Sequence, residues 1–142
     1  MTTERHLRWS LLAAGAFAMT GMIVEAIYAF RVSGFIDDPV RREFLRLGHI
    51  HGALLLLANV ALAWSTERLA TPRSIAGPVR GAGFAGGILV GLGFLGGGVW
   101  HGPNDPGVLV LLVPAGGLMF LSAAWTVGMT RRASAAPPPH DP

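Results

Sequence analysis

Four long apolar runs dominate the sequence and limit what the chain can fold into. They cover about residues 9–30, 47–64, 81–100 and 107–129. Each approaches the roughly 20 residues that an α-helix needs to cross a hydrocarbon core about 30 Å thick. None alternates apolar and polar residues as a half-buried strand does, and none carries the polar face of a soluble helix. The sequence therefore predicts an all-α protein, a four-transmembrane-helix bundle that forms a single domain over residues 1–132.

The composition excludes several classes of site and partner. The 142 residues include no cysteine, which rules out disulfides, thiolate metal sites, iron–sulfur clusters and covalently attached haem. Lysine is also absent, so all eleven basic side chains are arginine, and the net charge is only +3. Few charges, nearly all of them outside the apolar runs, are typical of loops that flank a membrane. We expect a lipid bilayer as the partner and no nucleic acid.

The distribution of arginines predicts the orientation of the four spans. An even number of spans places both termini on one side, with seven arginines there and four on the other. The positive-inside rule then predicts cytoplasmic termini, in a bacterial inner (plasma) membrane. A signal peptide is the alternative for the first run, but the run is long for one and no clean cleavage site follows it. The seven arginines predicted on the side of the termini are Arg5, Arg8, Arg68, Arg73, Arg80, Arg131 and Arg132. The four predicted on the opposite side are Arg31, Arg41, Arg42 and Arg46.

Two stretches outside the apolar runs carry local signals. Asp38 is a favourable N-cap residue and Pro39 suits the first position of a helix, so the second helix should begin near Pro39, before its apolar run. The segment 133–142 consists mainly of small residues and proline, and we expect it to be disordered, with no role for His140.

The third run is unusually rich in glycine. Residues 81–98 include nine glycines, with small-residue pairs at Gly83/Gly87, Gly87/Gly91 and Gly93/Gly97. Such pairs allow helices to approach closely, which predicts a packing helix. The alternative is a glycine-lined face that leaves room for a flat ligand. Packing of this kind can extend between subunits, so we expect a homo-oligomer with any large ligand near a subunit interface.

Several polar residues collect at the boundary opposite the termini. By the predicted topology, Glu25, His49, His101, Asn104 and Asp105 all lie there. An ionisable residue inside a span is costly, which makes these residues functional candidates. The simpler interpretation of Glu25 is a buried hydrogen-bond partner, for Arg31 or for a histidine.

His49 and His51 stand two residues apart near the start of the second run. Residues at this spacing point about 200° apart on a helix, so the pair cannot bind one metal ion from the same face. Arg42 and Arg46 share the face of His49. This arrangement suits haem, with imidazole as the ligand of the iron and the guanidinium groups paired with the propionates.

Other interpretations of these residues stay open. In one alternative, Arg42 and Arg46 only extend to lipid headgroups. His49 then donates a hydrogen bond to a backbone carbonyl on another helix. A zinc or copper site built from Glu25 and histidines needs close helix approach. We expect His51 to be a structural or substrate-side hydrogen-bond donor near His101 or Glu25. His51 is also the alternative to His49 as the ligand of the haem iron.

Two resemblances add to this interpretation. The stretches "HGALLLL", "GFLGGGVW" and "LVPAGGLMFLSAAW" resemble an uncharacterised family of small four-helix membrane proteins, which implies the fold and no activity. The stretch "RLGHIHGAL" resembles the haem-ligand region of the styrene oxide isomerases, and "HGPNDPG" is similar to their loop between spans three and four. In that family ferric haem b acts as a Lewis acid that converts an epoxide to an aldehyde. The resemblance implies His49 as the ligand.

This sequence departs from the isomerase pattern at two points. The family places asparagine six residues after the ligand, where this chain has Leu55, and a tyrosine in span three, whereas Tyr28 is the only tyrosine here. Two functions therefore remain open. One is a membrane protein that binds haem b, and an isomerase that acts on a small hydrophobic substrate is one protein of this kind. The other is a non-enzymatic assembly factor or accessory subunit. A transporter fits less well because the short chain shows no inverted repeat.

Overall fold

The computed structural model of the protein describes residues 3–35 and 37–130. Within these residues the chain forms four α-helices, and a short 3-10 helix over Val108–Leu111 leads into the last one. All four helices are long and apolar enough to cross a membrane, when the 3-10 turn is counted as part of the last helix. The predicted all-α, four-transmembrane-helix bundle is confirmed. The helices are α1 (Thr3–Ala29), α2 (Pro39–Arg68), α3 (Arg73–Val99) and α4 (Leu112–Met129).

The helices lie side by side in chain order, each antiparallel to the one before. α1 packs on α2, α2 on α3 and α3 on α4, whereas no contact joins α1 to α4 in the described part of the chain. The bundle is therefore open along one side. Large apolar side chains on the two outer helices are exposed, as expected for surfaces covered by lipid or by another protein chain. Examples are Leu12 and Met22 on α1 and Leu118 and Leu121 on α4.

The start of α2 follows the sequence prediction. Asp38 has extended backbone dihedrals, and its Oδ1 accepts a hydrogen bond from the backbone N–H of Arg41 at 2.9 Å. Pro39 is the first helical residue. A side-chain acceptor at this position satisfies one of the amides that the first turn leaves without a helical partner. α2 therefore begins two turns before its apolar run and places Arg42 and Arg46 at its exposed end.

The glycines of α3 are where neighbouring backbones meet. A Cβ atom on Gly86 would lie 2.6 Å from the carbonyl oxygen of Gly116 in α4. A Cβ atom on Gly91 would collide with the ring of Phe17 in α1 and lie 2.9 Å from Cα of Gly52 in α2. The prediction of a packing helix is confirmed. The expectation of a glycine face left open for a flat ligand is wrong, because other helices of the same chain fill that face.

Some of the sequence predictions concern residues that the structure does not describe. The proline-rich segment 133–142, His140 within it, and the arginine pair Arg131 and Arg132 all lie outside the described residues.

Candidate functional site

An open cavity of about 760 Å³ lies where α1 ends and α2 begins. Three guanidinium groups and two carboxylates line it, so its formal charge is positive. Arginine side chains in such a site favour carboxylate and phosphate groups, which they hold through paired hydrogen bonds. The structure thus brings Glu25, Arg42 and Arg46 together at one cavity, whereas His49, which the sequence predicted to act with these arginines, is not among its lining residues. We call this the arginine cavity; its lining residues are Glu25, Tyr28, Arg31, Asp37, Arg42 and Arg46.

The ring of His49 has a defined orientation deeper in α2. Its Nδ1 lies 3.0 Å from the carbonyl oxygen of Leu45, one turn earlier in the same helix. Because a carbonyl only accepts, Nδ1 donates this hydrogen bond, and in the neutral ring the lone pair is on Nε2. The expectation that His49 donates to a carbonyl on another helix is therefore wrong. Nε2 has no hydrogen-bond partner among the residues that the structure describes.

Gly21 of α1 packs on the face of the His49 ring. A Cβ atom at residue 21 would lie 2.8 Å from Nε2, 2.9 Å from Cγ and closer still to Cδ2 between them. Because these distances are similar, the Cβ position on residue 21 lies above the plane of the His49 ring and not in that plane past Nε2. α1 can approach His49 this closely because residue 21 has no side chain. The ring of His49 therefore lies at the contact between α1 and α2.

Arg46 and Arg42 precede His49 by three and seven residues on one face of α2. At 1.5 Å per residue they lie about 4.5 and 10 Å nearer the end of the helix. On α1, Glu25 follows Gly21 by one turn and is exposed, so the interpretation of Glu25 as a buried hydrogen-bond partner is wrong. The arrangement combines an imidazole nitrogen with cationic groups nearer the water, which suits a ligand with a metal centre and anionic substituents.

The hydroxyl of Tyr28 is a further polar group of the arginine cavity. Its Oη is buried and has no hydrogen-bond partner in the described part of the chain. A buried hydroxyl without a partner is costly, by about 1–3 kcal/mol. Tyr28 thus lines the cavity while its hydroxyl is buried and has no partner in the described part of the chain. The sequence indicated this residue only as the single tyrosine of the chain.

His51 faces the opposite side of α2. Its Nδ1 donates to the carbonyl oxygen of Leu47 at 2.9 Å, and its ring lies tilted against Phe94 of α3 with the centroids 5.2 Å apart. The division of the two histidines between two faces is confirmed, whereas the expected neighbours His101 and Glu25 are not those that contact His51. We call the space beside it the His51 cavity, of about 310 Å³; its apolar lining includes Leu55, Val90, Phe94, Val113, Phe120 and Leu121.

His101 binds the connection between α3 and α4 to the start of α2. Its Nε2 lies 2.9 Å from Oδ2 of Asp38 without the alignment of a hydrogen bond, and its Nδ1 donates to the carbonyl of Gly102 at 2.6 Å. The backbone N–H of Arg41 and, after it, the charges of His101 and Arg41 hold the pKa of Asp38 below its usual value. His101 thus makes a structural contact with Asp38 and does not line the arginine cavity.

Asn104 and Asp105 lie in the same connection and are exposed. The carbonyl of Asp105 accepts a hydrogen bond from the N–H of Gly102 at 2.9 Å, which closes a turn. Among residues 3–35 and 37–130, no three histidine, aspartate or glutamate side chains are placed to hold one metal ion. The described residues therefore do not assemble a zinc or copper site from Glu25 and histidines.

A buried polar cluster at the other end of the bundle was missed by the sequence analysis. Nδ2 of Asn59 donates to Nε2 of His6 at 2.9 Å and to Oγ of Ser10 at 3.1 Å. All three residues are almost fully buried. The available signal was Asn59, the one amide side chain in the apolar run of α2. Its partners follow only from the antiparallel register of α1 and α2.

Comparison of the chain with protein-family models, with curated proteins and with solved structures finds no match.

Proposed function

We propose that the protein is an integral membrane protein that binds haem b through His49. The observation that carries the proposal is Nε2 of His49, which has no partner among the described residues. His49 does not itself line the arginine cavity, but helical spacing places it on the face of Arg42 and Arg46, which do. Arg42 and Arg46 would pair with the propionates. The resemblance to the styrene oxide isomerases supports the same ligand.

The local geometry fits this group in two further respects. A histidine that ligates a metal commonly donates its other N–H to a carbonyl, as Nδ1 of His49 does to Leu45. Tyr28, which lines the arginine cavity, has a buried hydroxyl without a partner in the described structure, and a bound molecule that reaches this hydroxyl would supply the partner. Bound haem would supply an iron centre for Lewis-acid or electron-transfer chemistry.

For the reaction, the resemblance supports isomerisation of a small hydrophobic epoxide to a carbonyl compound. Leu55, at the position of the family's asparagine, lines the His51 cavity and not the arginine cavity. α2 therefore places no amide beside His49, and Tyr28 is the hydroxyl donor that remains. Incubation of haem-loaded protein with styrene oxide tests the reaction. A haem-loaded protein without aldehyde formation would exclude this reaction and leave the haem proposal intact.

We further propose that the protein forms a homo-oligomer in a bacterial inner membrane, with its termini in the cytoplasm. The open side of the bundle and the exposed apolar faces of α1 and α4 support association. The seven arginines at the terminal side support the orientation. Size-exclusion chromatography with light scattering measures the mass of the protein after the mass of bound detergent is subtracted. A mass equal to that of one protomer would contradict the homo-oligomer.

The spectrum of the purified protein tests the haem proposal. We expect protein produced in haem-supplied cells to carry a Soret band with about one haem per protomer. Absence of the band, also after haem is added to the folded protein in detergent, would overturn the proposal. The non-enzymatic accessory protein would then be the better interpretation.

A further inference from the structure

We propose that the His51 cavity is a second ligand site, for a single-ring hydrophobic molecule that carries a hydroxyl group. This site is on the other face of α2 from His49 and does not depend on the haem proposal. Phenols and comparable aromatic alcohols are the class of ligand that its chemistry would recognise.

His51 is the one polar side chain among the cavity's lining residues. Nδ1 of His51 is committed to the Leu47 carbonyl, so in the neutral ring Nε2 is a hydrogen-bond acceptor. No described residue donates to this nitrogen. In the hydrocarbon layer, where water is scarce, an acceptor without a donor is unfavourable. A ligand O–H group supplies the missing donor.

The shape and lining of the cavity determine the rest of the ligand. At about 310 Å³ it lies at the lower end of the range of small-molecule sites and suits one ring with a short substituent. Its other lining residues are apolar, and two of them, Phe94 and Phe120, are aromatic, which favours an aromatic ligand. Leu121 at its edge is 66% exposed, so the cavity opens sideways to where lipid lies. A lipophilic molecule therefore enters from the bilayer.

Gly117 of α4 provides a way to close the site without damaging the fold. It lines the cavity, and no described atom lies within 4 Å of a Cβ atom placed on it. A leucine side chain at this position extends into the cavity while the backbone stays unstrained. Gly128, near the end of the same helix, has the same free space and lies outside the cavity, which makes Gly128→Leu the matched control.

The test is a titration of detergent-solubilised protein whose histidine rings are labelled with ¹⁵N. The probes are 4-ethylphenol and ethylbenzene, which differ by the hydroxyl group alone. We expect 4-ethylphenol to move the Nε2 resonance of His51 in a saturable way and to leave the other histidines unchanged. Because a neutral hydrogen bond contributes about 1 kcal/mol, 4-ethylphenol should bind roughly fivefold more tightly than ethylbenzene.

The variants separate a site from an unspecific crevice. Gly117→Leu should abolish the saturable shift, and Gly128→Leu should retain it. His51→Leu should remove the preference for the phenol, read from ligand-detected saturation transfer. The proposal is overturned if both probes act equally on the wild-type protein, or if the shift persists in Gly117→Leu. A Soret band that is lost in His51→Ala and kept in His49→Ala would also overturn it, because the cavity would then belong to haem.

Discussion

Nδ2 of Asn59 donates a hydrogen bond to Nε2 of His6 at 2.9 Å, which joins the middle of α2 to the first turns of α1. Both side chains are almost completely buried. The same amide reaches Ser10, one turn along α1, so two partners fix the register of the helix pair. That register places Gly21 on the ring face of His49 at the other end of the interface. The polar cluster therefore positions the candidate site from a distance.

Replacement of Asn59 should destabilise the bundle. Asn59→Ala removes the donor to His6 and Ser10 and leaves buried polar atoms without a partner, which we expect to cost about 1–2 kcal/mol in a membrane protein. The measurement is the thermal unfolding midpoint in detergent. Asn104→Ala, an exposed asparagine, is the control and should match the wild-type protein. Equal midpoints for all three proteins would show that the cluster does not hold the helices in register.

The fold was largely predictable because each apolar run carries its own signal. Length and hydropathy identified the four helices, and Asp38 with Pro39 gave the start of α2. The His6–Asn59 contact was not predictable, since the two residues are 53 positions apart and their meeting depends on how α1 slides along α2. His101 illustrates the same limit: sequence placed it at the correct end, but its partner proved to be Asp38 rather than a residue of the arginine cavity.

Substitution of Gly91 should be more harmful than substitution of Gly87. A Cβ atom on Gly91 collides with Phe17 and crowds the backbone of Gly52, whereas one on Gly87 meets its nearest atom, Cγ of Leu56, at 3.3 Å. We expect Gly91→Ala to cost about 1–3 kcal/mol and Gly87→Ala clearly less. Gly81→Ala, on an open face of α3, is the control and should be neutral or slightly stabilising. The midpoints of thermal unfolding give the ranking, and the reverse order would contradict the packing described.

Acid should weaken the attachment of the α3–α4 connection. The pKa of Asp38 is lowered in the folded protein, so its contribution to stability is present above the unfolded pKa of about 3.9. That contribution is lost as the pH falls through the folded pKa. Asp38→Asn keeps an N-cap oxygen but removes the charge that faces His101. The unfolding midpoint of the variant should therefore fall less than that of the wild-type protein between pH 5 and about pH 2.5, and parallel curves would exclude the ion pair as the cause.

The orientation can be measured directly because the chain has no cysteine of its own. Ser33 lies in the exposed connection between α1 and α2, and Ser74 in the exposed first turn of α3. With cytoplasmic termini, an impermeant thiol reagent added to intact cells should label the Ser33→Cys protein. The Ser74→Cys protein should react only after the membrane is permeabilised. The opposite pattern would reverse the proposed topology.

The Soret absorbance of two single variants, His49→Ala and His51→Ala, tests the central proposal most directly. Both rings are held by a carbonyl one turn earlier, and they differ in that only His49 shares a helix face with Arg42 and Arg46. After purification under identical conditions from haem-supplied cells, His49→Ala should lose the band and His51→Ala should keep it. A band of wild-type intensity in His49→Ala would contradict the assignment of His49 as the haem ligand.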